Sequence, residues 1–219
     1  MEFKRSVVSA ALLGAAAFSG TAFAGATGNA GAFSSYMFRG VDQAGAAVVQ
    51  GGVDASTEGG LYAGTWVSTL AGGNYETDLY AGFAKGGFDV GYIFYGYRDS
   101  TKANMSEIYA GYSGGGFSGK LYYTPEYGVT EDEAFYLTAS FAIALSETLS
   151  ITPQVVYSFG DGIEFGLLGT EDSYLDYSLT LAKSLDDGYT FTFGVYANSE
   201  DDIIGKEQLV VGLKKAFDL

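Results

Sequence analysis

The sequence predicts an all-β chain that forms a transmembrane antiparallel up-and-down β-barrel of about 12 strands, with its N- and C-termini in the periplasm. Three observations carry this prediction. Apolar and polar residues alternate with a period of two along most of the chain. Many of these segments have about 10 residues, the length that a tilted strand needs to cross a bilayer. The connections between them alternate between short and long, as in bacterial outer-membrane barrels.

The first 24 residues have the features of a secretory signal peptide. Lys4 and Arg5 form a short basic region, an apolar segment follows over residues 7–18, and Ala22-Phe23-Ala24 gives the small-x-small pattern of a cleavage site. A membrane anchor would need about 20 continuous apolar residues, and this run is shorter. We therefore predict a leader over residues 1–24 and one barrel domain over residues 25–219.

Twelve alternating segments with turn signals between them are predicted as strands. Their approximate ranges are 30–40, 47–57, 61–70, 75–85, 87–98, 105–113, 116–125, 133–145, 148–159, 173–184, 188–198 and 207–217. In the eighth segment Phe135 and Leu137 share one face, while Thr138 and Ser140 share the other. Small and polar side chains occupy the row that would form the core of a soluble barrel, so we expect the apolar rows to face lipid.

The segment 61–70 is less clear than the others, because its two faces differ little in hydropathy. Trp66 lies in this segment. Tryptophan is enriched at membrane–water interfaces, which makes Trp66 a candidate interface anchor.

The connections give an independent indication of a membrane. The even-numbered ones are short, at 57–60, 85–87, 114–116, 146–148 and 185–188. The odd-numbered ones are mostly longer, at 98–105, 125–133, 160–172 and 198–207, with 71–74 as the exception. Short turns face the periplasm in outer-membrane barrels, so this alternation predicts an even strand number and periplasmic termini.

Composition excludes several classes of function. The 219-residue chain has no His and no Cys, so the usual proton shuttle, thiol nucleophile and thiolate metal site are absent. We expect no enzyme activity, no cofactor and no metal site. The net charge of −15 has the wrong sign for binding a nucleic-acid backbone.

Residues 34–69 read "SSYMFRGVDQAGAAVVQGGVDASTEGGLYAGTWVST" and carry a family resemblance. The features are Tyr36, Phe38-Arg39-Gly40, the run VQGG at 49–52 and the run YAGTW at 62–66. They resemble the opening of the TorF family, named as porins in proteobacteria, and the likeness continues to about residue 125. The resemblance implies an outer-membrane porin and marks Phe38, Arg39 and Gly40 as the family motif of the first loop.

The C-terminal end carries a second feature of such barrels. A phenylalanine near the end of the last strand is, as the resemblance implies, the usual signal for outer-membrane assembly. Here Phe217 is followed by two further residues. The expected partners are outer-membrane lipid and lipopolysaccharide, the barrel assembly machinery and small solutes, without nucleic acid; a homo-oligomer is left open.

If the apolar rows face lipid, the opposite rows line a lumen. This places eight charged side chains inside as pore-lining candidates: Asp54, Glu76, Asp78, Asp89, Glu107, Lys120, Asp176 and Lys214. Carboxylates in a narrow aqueous passage favour cations, so the sequence predicts a porin for small solutes or ions with a cation preference.

Alternatives to a conducting porin remain open at this point. The carboxylates could pair with Lys120, Lys214 or Arg39, or bond to tyrosine hydroxyls such as those of Tyr80 and Tyr109, and so fill the lumen. The protein would then be a non-conducting structural or receptor barrel, because strand number alone does not decide whether a 12-strand lumen is open. A soluble exported β-protein and a barrel enzyme are the further alternatives.

Overall fold

The computed structural model describes residues 25–98 and 103–219, and the predicted signal peptide at 1–24 lies outside them. The described strands are β1 Gly25–Phe33, β2 Met37–Phe38, β3 Val41–Asp42, β4 Val48–Ser56, β5 Leu61–Thr69, β6 Tyr75–Lys85, β7 Phe88–Tyr97, β8 Met105–Gly114, β9 Phe117–Thr124, β10 Ala134–Phe141, β11 Ile143–Ala144, β12 Leu149–Phe159, β13 Ser173–Ser184, β14 Tyr189–Asn198 and β15 Gln208–Asp218.

Two short helices lie in the connections between strands. They are α1 Asp161–Ile163, which runs directly into a π-helical turn at Glu164–Leu168, and α2 Asp201–Ile204. In the described part of the chain, 3-10 turns are formed by residues that include Ala71–Gly73 and Asp186–Gly188. Within the two described ranges, no helix has the length and apolar character to span a membrane.

The strands form one closed antiparallel barrel. β1 pairs with β4, the barrel strands from β4 to β10 and from β12 to β15 pair in sequence order, β10 pairs with β12, and β15 pairs with β1 to close the barrel. The short strands β10 and β11 make up one barrel strand that is interrupted at Ala142, while β2 and β3 form a separate two-stranded sheet. The described barrel therefore has 12 strands, which confirms the predicted fold class.

The predicted first strand is wrong in position. The sequence predicted residues 30–40, whereas β1 spans Gly25–Phe33 and the chain leaves the barrel wall at Ser34. Residues 25–32 are mostly Gly, Ala and other small residues, so their alternation gives little hydrophobic contrast to read. The familial motif at 38–40 consequently belongs to a loop that folds into the barrel.

The outer face of the barrel is apolar. Leu79, Leu137 and Phe193 are 54%, 51% and 37% exposed, whereas Glu107 and Ser158, which point inward, are fully buried. The rows that the sequence predicted to face lipid are therefore the outward rows. An apolar outer surface on a closed barrel is the surface that transmembrane barrels present to lipid.

Trp66 is not the interface anchor that the sequence suggested. It shares the inward row of β5 with Tyr62 and Ser68, both buried. Its ring stands edge-on to that of Tyr36, with centroids 5.3 Å apart. The sequence did not distinguish these two positions, because an aromatic residue that faces the lumen and one at a membrane interface give the same pattern.

The connections alternate in length around the barrel, as predicted. Those at one end are short and span 57–60, 86–87, 115–116, 145–148 and 185–188. Those at the other end span 34–47, 70–74, 98–104, 125–133, 160–172 and 199–207. The periplasmic position of the short end stays a prediction.

Close packing between β1 and β15 gives a test of the interior. The ring of Phe33 lies over Gly212, its partner across the two strands, where a Cβ atom would overlap the ring. We expect Gly212→Ala to lower the free energy of unfolding by about 1–3 kcal/mol, as overpacking typically does. Urea unfolding in detergent micelles measures this.

Gly59→Ala is the matched control, because a Cβ there would lie 3.7 Å from the nearest atom, Thr57 Oγ1. This variant should change the free energy of unfolding by less than about 0.5 kcal/mol. Equal losses in the two variants would contradict the packing of Phe33 against Gly212.

Candidate functional site

The first long connection forms a hairpin inside the barrel. Met37 pairs with Asp42 and Phe38 with Val41, and Met37 is only 4% exposed. Arg39 and the glycine after it make the two-residue turn, with φ angles of 49° and 78°. Positive φ at both positions is the requirement of a type I′ turn, which explains a glycine at the second position. We call residues 36–43 the inner hairpin.

Asp42 closes the base of the inner hairpin. Its Oδ1 accepts hydrogen bonds from Ser35 Oγ at 2.6 Å and from the backbone N–H groups of Ala44 at 3.0 Å and Gly45 at 2.9 Å. Partial burial raises the pKa of Asp42, but these three hydrogen bonds outweigh it and leave the pKa below its usual value. Asp42 is therefore ionised at neutral pH and fixes the turn that returns the chain to β4.

The tip of the inner hairpin reaches β13 on the barrel wall. Tyr174 Oη donates a hydrogen bond of 2.8 Å to the carbonyl oxygen of Arg39. A Cβ at Gly40 would lie 2.8 Å from Cβ of Asp176. Gly40 therefore serves two purposes, the positive φ of the turn and the close approach to the wall.

The guanidinium of Arg39 forms a buried, bidentate ion pair with Glu107 on β8. The two N–O distances are 2.6 and 2.8 Å, and the side chains are 7% and 0% exposed. Tyr95 on β7 donates a further hydrogen bond of 3.0 Å to Glu107 Oε2. A paired fork of this kind is the strongest form of charge-assisted hydrogen bonding that side chains make.

Aromatic rings surround the same guanidinium. Its Cζ lies 3.3 Å from the ring centroid of Tyr136 on β10, 5.2 Å from that of Tyr122 on β9, and 4.5 Å from that of Phe38. We call the four wall residues the Arg39 cage: Tyr95, Glu107, Tyr122 and Tyr136. Burial lowers the pKa of Arg39, yet the Glu107 carboxylate outweighs burial and raises that pKa well above its ordinary value, so Arg39 stays charged.

A second buried ion pair lies on the same side of the barrel. Lys120 Nζ on β9 lies 2.6 Å from Asp89 Oδ2 on β7, and it also lies 4.7 Å from the ring centroid of Tyr109. Tyr62 Oη donates a hydrogen bond of 2.6 Å to Asp89 Oδ1 and is also hydrogen-bonded to Tyr109 Oη. Both charges are less than a tenth exposed, so this cluster also fills part of the interior.

The eight predicted pore-lining residues all point inward. Six are buried in the interior: Glu76, Asp78, Asp89, Glu107, Lys120 and Asp176. Asp54 and Lys214 are half-buried, and Asp54 accepts a hydrogen bond from Tyr80 Oη. The structure brings Asp89 and Lys120 together and joins Glu107 to Arg39. Whether the eight line an open pore stays a prediction.

Four inward carboxylates have no basic partner among the ion pairs of the described residues: Asp54, Glu76, Asp78 and Asp176. Glu76 accepts a hydrogen bond of 3.2 Å from Tyr36 Oη of the inner hairpin. Asp78 and Asp176 each have one buried carboxylate oxygen, Oδ1 and Oδ2 respectively, with no hydrogen-bond partner in the described part of the chain. Within the same residues no group of three or more acidic side chains is arranged to hold a metal ion. Acidic side chains therefore outnumber basic ones inside the barrel.

Two connections of the long-loop end cover the Arg39 cage from above. Ile163 of α1 and Leu168 are buried and pack in one cluster with Tyr136 and Tyr174. The backbone N–H of Gly162 donates a hydrogen bond of 2.9 Å to the carbonyl oxygen of Glu133. This bond joins the connection 160–172 to the connection 125–133. These two connections thus pack over the cage on the side of the long-loop end.

The sequence did not single out the cage tyrosines. Tyr122 shares its row of β9 with Lys120, and Tyr95 shares its row of β7 with Asp89, so the period of two could have placed both inside. The period of two could not have shown that Arg39, a residue of the first connection, contacts these tyrosines. That contact depends on a loop more than 60 residues away from Glu107 in sequence.

The fold is similar to those of solved porins. A KdgM porin in complex with disordered oligogalacturonate matches with a TM-score of 0.58 at 11% identity, over 88% of this chain and 99% of that chain. A NanC porin matches with a TM-score of 0.57 at 8% identity, over 89% and 100% of the two chains. At such identities the likeness shows the shared closed antiparallel barrel.

Comparison of sequences gives the family. No curated protein matches the chain. A family model described as "Bacterial protein of unknown function (Gcw_chp)" matches residues 15–217. It does not carry the TorF name, which therefore remains a resemblance of the first part of the sequence. Since the match covers almost all of the 219 residues, the chain belongs to the Gcw_chp family.

Proposed function

We propose that the protein is an outer-membrane diffusion porin for small solutes or ions, and that it prefers cations. The observation that carries this proposal is a closed barrel with an apolar outer face and an interior in which carboxylates outnumber basic groups. The similarity to porin folds, the predicted leader and the alternation of short and long connections support the outer membrane as its location.

The sign of the interior charge gives the proposed selectivity. The six inward acidic side chains, Asp54, Glu76, Asp78, Asp89, Glu107 and Asp176, face three basic ones, Arg39, Lys120 and Lys214. In a narrow passage with low-dielectric walls such an excess attracts cations and repels anions. The KdgM porin was seen with oligogalacturonate, a chain of carboxylate sugars, and the acidic interior here disfavours a solute of that charge.

A non-conducting structural or receptor barrel is the second candidate. It is favoured by the inner hairpin, whose Arg39 and Phe38 lie across the interior, and by the two buried ion pairs. In that case the interior would be a permanent polar core.

Single-channel recording separates the two candidates. The protein is purified, inserted into planar bilayers, and the current and the reversal potential are measured under a salt gradient. Discrete current steps support the porin if their reversal potential is shifted toward the equilibrium potential of the cation. Silence from protein whose insertion is verified by protease protection supports the non-conducting barrel.

The carboxylates without a basic partner should set the cation preference. We expect Asp54→Asn and Asp176→Asn each to lower the cation-to-anion permeability ratio about two- to fivefold, because a unit charge about 4 Å away is worth about 1 kcal/mol even in water. Reversal potentials measure the ratio. Asp186→Asn, in an exposed turn of the short end, is the control and should leave the ratio unchanged. A ratio that stays the same in all three variants would show that interior carboxylates do not select.

A further inference from the structure

The Arg39 cage is built by the barrel wall and not by the hairpin that occupies it. Its four residues, Tyr95, Glu107, Tyr122 and Tyr136, come from the consecutive strands β7, β8, β9 and β10. Glu107 is held in place by Tyr95, whose hydroxyl donates to it at 3.0 Å. Because strand pairing fixes the positions of all four residues, the cage should keep its shape when the guanidinium is absent.

The chemistry of the cage is that of a binding site for an organic cation. Glu107 offers two oxygens to a planar fork of N–H donors, which a guanidinium matches in geometry. The face of Tyr136 lies 3.3 Å from the charged carbon and stabilises a weakly hydrated cation. A metal ion such as Na⁺ would gain little from these faces, because it is small and strongly hydrated.

Outside the cage, two hydrogen bonds and the packing of aromatic rings hold the inner hairpin to the wall. The carbonyl oxygen of Arg39 accepts a hydrogen bond from Tyr174, and Tyr36 Oη donates one to Glu76. The ring of Tyr36 also packs against that of Trp66. The unpartnered oxygens of Asp78 and Asp176 offer further hydrogen-bond acceptors in the same interior. A solute with one guanidinium and a second positive group therefore finds both a cage and further carboxylates.

We propose that the Arg39 cage is the recognition site for a guanidinium-bearing solute, and that Arg39 occupies it in the absence of solute as an internal substitute. A solute that takes the place of Arg39 on Glu107 releases the tip of the inner hairpin. The passage of such a solute rests on the proposed porin function, whereas binding to the cage does not.

Chemical rescue tests the binding without any current. Arg39→Ala removes the internal guanidinium, and agmatine, which carries a guanidinium and a primary amine, is the probe. At ten times its dissociation constant agmatine should raise the Tm of Arg39→Ala, followed by circular dichroism in detergent micelles, by about 3–6 °C. NaCl at the same ionic strength and tetramethylammonium, which has no N–H donor, should raise it by less than about 1 °C.

The matched control is Arg39→Ala combined with Glu107→Gln, which keeps the aromatic faces and removes the carboxylate. Agmatine should not stabilise this double variant. Equal shifts in both variants, or equal shifts with agmatine and tetramethylammonium, would overturn the proposal. If Arg39→Ala does not refold, Arg39→Gln, which retains more of the side-chain volume, replaces it in the same comparison.

Bilayer recording then separates this inference from the proposed function. Arg39→Ala should conduct more than the unmodified protein, and millimolar agmatine should reduce its current by at least half. If agmatine stabilises Arg39→Ala but the variant passes no current, the cage stands and the porin function fails. If the variant conducts while agmatine neither blocks nor stabilises it, the porin function stands and the cage proposal fails.

Discussion

Glu107→Ala should lower the free energy of unfolding by about 3–5 kcal/mol, because it leaves the Arg39 guanidinium buried without its carboxylate. Both side chains are almost completely inaccessible to water, so solvent cannot replace the lost partner. Tyr95 would lose its hydrogen-bond acceptor as well. Urea unfolding in detergent micelles, followed by the fluorescence of Trp66 near the inner hairpin, measures the change.

Two further variants show whether the loss comes from the unpaired charge. Glu133→Ala removes an exposed carboxylate that accepts a hydrogen bond from Tyr123 at 3.1 Å, and should cost less than about 1 kcal/mol. Arg39→Met combined with Glu107→Leu removes both charges and should recover much of the stability lost in Glu107→Ala. A double variant as unstable as the single one would indicate that the shape of the cage, and not its charge, is what matters.

Phe193→Arg should destabilise the protein by about 2–4 kcal/mol, because the residue lies on the outward face near the middle of β14, where a charge would be placed in the centre of the bilayer. Val211 and Leu181, its neighbours on β15 and β13, also face outward and offer no counter-charge. Reversible unfolding in phospholipid vesicles is the appropriate measurement, since a micelle lets a charged side chain reach water easily.

Leu209→Arg is the depth control for this experiment. Leu209 also faces outward and is 64% exposed, but it lies near the beginning of β15, at the long-loop end of the barrel. Arginine near the interface costs about 0–1 kcal/mol. The difference between the two sites therefore reports depth in lipid. Losses that do not depend on depth would contradict a membrane-spanning barrel.

The inner hairpin, and not the number of strands, determines how the interior of this barrel is filled. Twelve strands lie between the filled lumen of 8-stranded barrels and the open channel of 16-stranded porins. Here residues 36–43 occupy the interior, with Arg39 held at one wall by Glu107 and at another by Tyr174. In the proposed porin a solute would have to pass this hairpin or move it, which makes the hairpin contacts the natural targets for mutation.

Strand prediction succeeded wherever two faces differ strongly. In β10 the outward Leu137 and the inward Thr138 are adjacent in sequence and opposite in environment, so the period of two reveals both. It failed for the position of β1, where small residues occupy both rows, and in β5 it located the strand but not the inward position of Trp66. Both failures occurred beside the inner hairpin, where the interior is packed with aromatic rings instead of small polar groups.

The sequence by itself determined the closed barrel, the outward rows and the inward position of residues such as Asp78 and Lys120, because these depend on local alternation and on the lengths of connections. Only the tertiary structure decided that Arg39 meets Glu107 and that Asp89 is neutralised by Lys120. Ion pairs between separate strands and an infolded loop depend on strand register and on the path of that loop. Neither leaves a periodic signal in the chain, and so the interior charge that remains unpaired could be identified only once the barrel was closed.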